Sequence, residues 1–165
     1  MAAFLDDGAD TLPRAVEALR GGTLFVCGNG GSAAQAIHLE AELVGRYKSD
    51  REPLPAVFLG MSVSSSTAIA NDFGDEHVFA RPLRALARPG DGLLAISTSG
   101  SSPNVLAALA AAHEAGVGSV LLSGPGADPM SADVVIRFPG ASADVIQDGH
   151  QLVIHALMDA LEPPA

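Results

Sequence analysis

The segment Thr23-Leu24-Phe25-Val26-Cys27-Gly28-Asn29-Gly30-Gly31-Ser32 constrains the fold of this chain more than any other. An apolar, β-favouring run that stops at glycines and is followed by a serine predicts a strand, a tight loop and then a helix. The glycines permit positive φ, and the helix that follows presents unpaired N–H groups and the positive end of its dipole. Such a loop suits a phosphate. Asn29 tolerates the left-handed conformation, and Ser32 can cap the helix or offer a phosphate its hydroxyl. Gly-Asn-Gly-Gly-Ser has neither the GxGxxG spacing nor a following Lys-Ser/Thr, so it is not a common nucleotide fingerprint. Taken alone it fits a plain strand-to-helix turn as well as an anion site, because α/β connections are short and often glycine-rich.

The rest of the chain repeats the alternation. A short amphipathic helix over 11–20, capped by Asp10 or Thr11 with Pro13 in its first turn, leads into the opening strand. Helix 32–46, strand 55–60 and helix 62–70 follow, and 77–88 reads as helical with Pro82 starting or kinking it. Strand 91–96 runs into Ser97-Thr98-Ser99-Gly100-Ser101-Ser102-Pro103, where Ser102 caps and Pro103 opens a helix to about Ala115. Strands 117–122 and 132–138 precede a last helix, 143–161, with an apolar stripe through Ile146, Val153, Ile154, Leu157, Met158 and Leu161.

This pattern predicts a single α/β domain over 1–165, a three-layer sandwich with a five-stranded parallel sheet in the flavodoxin-like order 2-1-3-4-5. That order sets the first and third strands side by side at the switch point, where ligands bind beyond the carboxyl ends. The glycine loop and the serine loop then share one crevice. The bland reading of the serine loop is a turn with a good cap, but its hydroxyl density exceeds what capping requires.

Composition narrows the function. At 165 residues and 48% hydrophobic content the chain can bury one core, and a single cysteine, Cys27, rules out an internal disulfide and fits the cytoplasm. In an apolar strand that thiol reads as buried and inert. No run spans a membrane, and Met1 to Asp7 lacks a basic segment before an apolar core. A net charge of −10 argues against a nucleic-acid surface. It also repels anions at long range, so a phosphate site must rest on local dipoles and hydroxyls acting together.

Two helices carry candidate chemistry. His38 and Glu42 are four apart and share a face. On the last helix, which also carries His150, Gln147 and His155 are eight apart and lie within about a quarter-turn of one direction. Separately these fit a surface pair and a core histidine. Together, if the helices pack side by side, they offer N and O ligands for zinc or a similar divalent ion, or a carboxylate and an imidazole for moving a proton next to a carbonyl.

Gly28-Asn29-Gly30-Gly31-Ser32, His38-x-x-x-Glu42 with Gly45-Arg46, Asn71-Asp72-Phe73-Gly74, Ser97-Thr98-Ser99-Gly100, Ala143-Asp144-x-Ile146-Gln147 and Val153-Ile154-His155 together resemble the phosphoheptose isomerases, of the sugar isomerase (SIS) fold. The motifs run in order from about Gly21 to Leu161. The resemblance implies an aldose–ketose isomerase that interconverts sedoheptulose 7-phosphate and D-glycero-D-manno-heptose 7-phosphate through an enediol. It implies Glu42 as base, His155 as acid–base partner, and His38, Glu42, Gln147 and His155 as ligands of zinc or another divalent metal. Ser97, Thr98, Ser99 and Ser102 resemble the phosphate cradle, joined by Asn29, Gly30 and Ser32. Asp72, Asp144, Gln147 and Arg46 resemble residues lining the sugar pocket, although Asp72 also fits a turn former. The resemblance further implies a homotetramer, with a dimer as the alternative. The family has a longer helical segment before its glycine loop, where 27 residues precede Gly28 here. Two other functions share these motifs: a non-catalytic SIS binding or regulatory module, against which Glu42 and His155 speak, and an isomerase of a different phosphosugar.

Overall fold

The computed structural model describes residues 10–128 and 130–162; the Met1–Asp7 segment discussed above lies outside them. The elements in order are α1 (Thr11–Leu19), β1 (Leu24–Gly28), α2 (Gly31–Val44), β2 (Ala56–Phe58), α3 (Val63–Phe73), α4 (Ala80–Leu86), β3 (Gly92–Ser97), α5 (Pro103–Ala115), β4 (Gly118–Ser123), β5 (Val134–Arg137) and α6 (Ala143–Leu161). The strands form one parallel sheet in the order β2-β1-β3-β4-β5, as the alternation predicts.

Both faces of the sheet are covered, which is why β1 and β3 are buried at every position. Successive side chains point to opposite faces and so divide into two cores. Leu24, Val26, Leu94 and Ile96 pack with α1, α2 and α6 through Leu19, Leu39, Leu43, Ile154, Leu157 and Met158. Phe25, Cys27, Leu93 and Ala95 pack on the other side with Leu83 of α4 and with Val105, Ala108 and Leu109 of α5. Burial pushes the Cys27 thiol up to about 12, so it stays protonated and inert. The arrangement matters for function because α2 and α6 lie on the same face of the sheet.

Several boundaries differ from the sequence reading. Residues 77–88 do not form one helix: a 3-10 turn over Asp75–His77 precedes α4, which places Pro82 in its first turn, where no hydrogen bond is lost. Helix α3 continues through Asn71-Asp72-Phe73 and ends where Gly74 turns to φ +101°. Helix α2 ends at Val44, two residues early. Among the described residues no helix is long and apolar enough to cross a membrane.

Candidate active site

β1 ends at Gly28, paired in register with Ile96, and β3 runs one residue further to Ser97, so the loops after these strands open side by side. Gly28 must be glycine: a Cβ there would lie 2.9 Å from the Ser32 backbone and 3.0 Å from the Ile96 carbonyl oxygen. The left-handed turn falls on Gly30, at φ +54°, and not on Asn29; no described residue other than glycine has positive φ. Helix α2 therefore starts one residue earlier than predicted, with Gly30 as its N-cap. Ser32 does not cap it. Its N–H donates to the Asn29 carbonyl at 3.0 Å and the residue is buried inside the first turn.

The serine loop is a connected cluster of hydroxyls. Ser97 Oγ lies 3.0 Å from Ser102 Oγ and 3.3 Å from Ser99 Oγ, and accepts from Gly100 N–H at 3.2 Å. Ser99 Oγ accepts from the N–H and hydroxyl of Ser101, each at 3.2 Å. Ser102 occupies the N-cap of α5, but its side chain makes no capping bond because it turns to Ser97 instead. Pro103 has no N–H, and those of Val105 and Leu106 donate to the Ser102 carbonyl at 3.1 and 3.0 Å, so the Asn104 N–H is the backbone donor this helix start offers a ligand. Thr98 contributes its carbonyl, which accepts from Gly124 N–H at 3.1 Å, and this ties the loop to β4. Neither α2 nor α5 has an acidic residue in its first turn, so both dipoles favour an anion here despite the net charge of −10.

The packing of α2 on α6 brings the predicted imidazoles together. His38 Nε2 and His155 Nε2 are 3.3 Å apart, their rings in an edge-to-face arrangement. Gln151, one turn before His155, places its Nε2 3.1 Å from His155 Nε2, and Tyr47 stacks on the His155 ring at 6.2 Å between centroids. Gln35 crosses between the helices, donating to the Gln147 carbonyl at 2.8 Å. The Gln147 side chain lies against the start of α2, close enough that a Cβ on Gly31 would stand 2.5 Å from its Nε2. Glu42 sits one turn beyond His38 and is half-buried. Its carbonyl and that of Leu43 accept from Arg51 at 3.0 and 2.9 Å, while Arg51 Nε donates to Glu162 Oε1 at 3.2 Å, which fastens the end of α2 to the end of α6.

Other predicted site residues are less tightly gathered. Asp72 is exposed on α3 and accepts from Asn71 at 2.8 Å; Arg46 is exposed just past α2. Asp144 is exposed in the first turn of α6, where the Ser142 hydroxyl and the Val145 N–H hold its carboxyl below the usual range. Among the described residues no three His, Cys, Asp or Glu side chains stand close enough together to hold a metal. The two imidazoles alone do fit one: nitrogens bound at 2.0–2.1 Å to a tetrahedral ion are about 3.3 Å apart.

Sequence reading missed Gln35, Gln151, Tyr47 and Asn104, the last of which pairs with Asn29. Gln35 and Gln151 do carry a signal, being three residues before His38 and four before His155 on the same helix faces. Tyr47 and Asn104 lie in a loop and a helix start, where spacing says nothing about orientation.

The chain is similar to known proteins over most of its length. The SIS domain family model matches residues 3–124. The phosphoheptose isomerase of Rhodospirillum rubrum is 48% identical over 144 residues, 86% of this chain and 77% of that protein. Among solved structures, the phosphoheptose isomerase of Francisella tularensis superposes with a TM-score of 0.86 at 32% identity, covering 94% of this chain and 87% of its own. That of Neisseria gonorrhoeae gives 0.79 at 40% identity, covering 91% and 82%. With that identity and superposition over most of both chains, the chain belongs to the phosphoheptose isomerase family of SIS-domain proteins.

Proposed function

We propose that this chain is an aldose–ketose isomerase that converts sedoheptulose 7-phosphate to D-glycero-D-manno-heptose 7-phosphate. The observation that carries this reading is the path of α2. It starts at the phosphate-suited crevice and runs along α6, so that the helix whose His38 meets His155 also carries Glu42 one turn further on. The serine cluster and the two helix starts hold the phosphate, the inert end of the sugar. Glu42 removes a proton from C1 of the ketose, and the electron pair forms the C1–C2 double bond of an enediol as the C2 carbonyl oxygen gains a proton. His155 exchanges protons with the oxygens on C1 and C2. The proton held by Glu42 then returns to C2, leaving an aldehyde at C1, so the step is balanced with no external oxidant or reductant.

His38 and His155 are the residues that would hold zinc or another divalent ion, and Glu42 and Gln147 would complete the set only by turning toward the two imidazoles, since the Glu42 carboxylate does not stand with them. Bound there, the ion would polarise the substrate's oxygens as a Lewis acid. Tyr47 orients the His155 ring by stacking whether or not a metal is present, whereas Gln151, which meets the same Nε2 that a metal would take, holds the ring in the metal-free state. We extend the reading to a cytoplasmic homotetramer. Support for self-association comes from α3, none of whose residues is buried, and from an apolar groove of about 600 Å3 between α3 and α4 lined by Met61, Ile69, Phe73 and Leu86.

The test is to incubate the protein with sedoheptulose 7-phosphate and follow the anomeric proton signals by NMR. New aldose signals are the expected result, and their absence would refute the activity. Light scattering on the same sample reads the assembly.

A further inference from the structure

A pair of side-chain hydrogen bonds joins the glycine loop to the helix start that follows the serine loop. Asn29 Nδ2 donates to Asn104 Oδ1 at 2.9 Å, and Asn104 Nδ2 donates back to Asn29 Oδ1 at 2.9 Å. The two carboxamides thus form a closed, reciprocal pair between residues 75 apart in sequence. Each amide presents the other with a complete donor–acceptor match, and each has its Oδ1 and one Nδ2 hydrogen committed to its partner. Asn29 sits in Gly28-Asn29-Gly30-Gly31, the most conformationally free stretch of the crevice, whereas Asn104 stands on the first turn of α5, directly after Ser102 and Pro103. Both also line a cavity of about 600 Å3 with Ser102, Asp75 and Glu76, so the donors there must work against two nearby carboxylates.

We propose that Asn104 is a positioning residue for phosphosugar binding, and that Asn29 acts chiefly through it. The pair holds the glycine loop at a set distance from the serine loop before substrate arrives, so that the Gly31 N–H at the start of α2 and the Asn104 N–H at the start of α5, neither taken by a backbone carbonyl, face one phosphate together with the serine hydroxyls. A glycine-rich loop left free would lose that freedom on binding, and the pair removes most of the cost beforehand. This rests on the phosphate-cradle reading above. It changes the part played by Asn29, whose side chain serves as half of a clasp between loops before it serves as a phosphate donor.

The test is a double-mutant cycle of Asn29→Leu, Asn104→Leu and the two combined, with Asn104→Ala as a second variant in case the larger side chain disturbs folding. Three quantities are read: KM and kcat for sedoheptulose 7-phosphate, Kd for inorganic phosphate by titration, and the thermal midpoint. Asn104→Leu is expected to raise KM and the phosphate Kd about tenfold with kcat within twofold, because the chemistry lies at the other end of the sugar. The double variant should be no worse than the poorer single one, since either substitution opens the same clasp. Multiplying effects in the double variant would show Asn29 binding phosphate independently and overturn the proposal. So would an unchanged phosphate Kd in Asn104→Leu and Asn104→Ala, or a loss that merely follows a fallen thermal midpoint. A native protein that binds phosphate but makes no aldose would refute the isomerase reading alone, and the cycle would still be read from the phosphate titration. A native protein that binds neither would overturn both.

Discussion

Gly31 is the first residue of α2, and its missing side chain leaves the space into which Gln147 reaches. A Cβ on Gly31 would lie 2.5 Å from Gln147 Nε2, 2.8 Å from Oε1 and 2.9 Å from Cδ. Non-bonded heavy atoms settle at roughly 3.5 Å, so Gly31→Ala requires the amide to withdraw by about 1 Å. The α6 backbone will not supply that movement, because Ile154, Leu157 and Met158 are fully buried against the sheet and Gln35 holds the Gln147 carbonyl. The flexible side chain moves instead, at little cost in stability. Replacing a helical glycine by alanine is itself favourable by up to about 1 kcal/mol, and by less in the first turn. The thermal midpoint of Gly31→Ala should therefore stay level or rise slightly, while a displacement of about 1 Å at a positioning group costs roughly 100-fold in kcat/KM. Gly30→Ala is the comparison: a Cβ there meets nothing within 4 Å, but φ is +54°, so it should lose stability through backbone strain. The coupled assay for aldose formation and a thermal melt on the same samples decide the matter. Gly31→Ala within threefold of native activity would refute the argument that the Gln147 amide must sit where α2 begins.

Glu42→Gln keeps the shape and removes the base; a loss of about 100- to 10,000-fold in kcat with an unchanged melt is expected from the isomerase assay. His38→Ala should remove bound metal from protein purified without chelator, as read by elemental analysis, because it takes away one of the two facing imidazoles. Leu39→Ala, at a fully buried position on the core face of α2, should cost about 2–5 kcal/mol in denaturant unfolding. His150 is 1% exposed, and burial lowers its pKa from the ordinary 6.5, the neighbouring Ser123 backbone opposing this only in part. Below about pH 6.5 the unfolded chain protonates this imidazole while the folded chain resists, so the unfolded state binds more protons and stability falls with falling pH. Unfolding curves between pH 7 and 5 should show that loss in the native protein and a shallower one in His150→Leu.

The parts of the fold that depend on local chemistry were legible in the sequence. The α6 boundaries follow from its apolar stripe, and the sheet order follows from alternation with short connections, because burying strands on both faces leaves few other arrangements. Where two local preferences compete, the reading failed. Residues 77–88 carry apolar spacing and a proline together, and packing settled the matter by starting the helix only after Phe79, whose ring is buried. Asn29 and Gly30 both tolerate the left-handed turn, and glycine took it at no steric cost.

The sequence by itself determined the parallel sandwich, the two polar loops at its switch point, and the helix that carries His38 and Glu42 away from them. Those depend on periodicity and on residues near one another in the chain. Only the tertiary structure decided which polar groups meet: His38 with His155, 117 residues apart; Asn29 with Asn104; Ser102 with Ser97 in place of its own helix. A hydrogen bond needs partners placed to a few tenths of an ångström. That precision comes from the packing of α2 and α6 on one face of the sheet and α5 on the other, which no spacing in the sequence encodes.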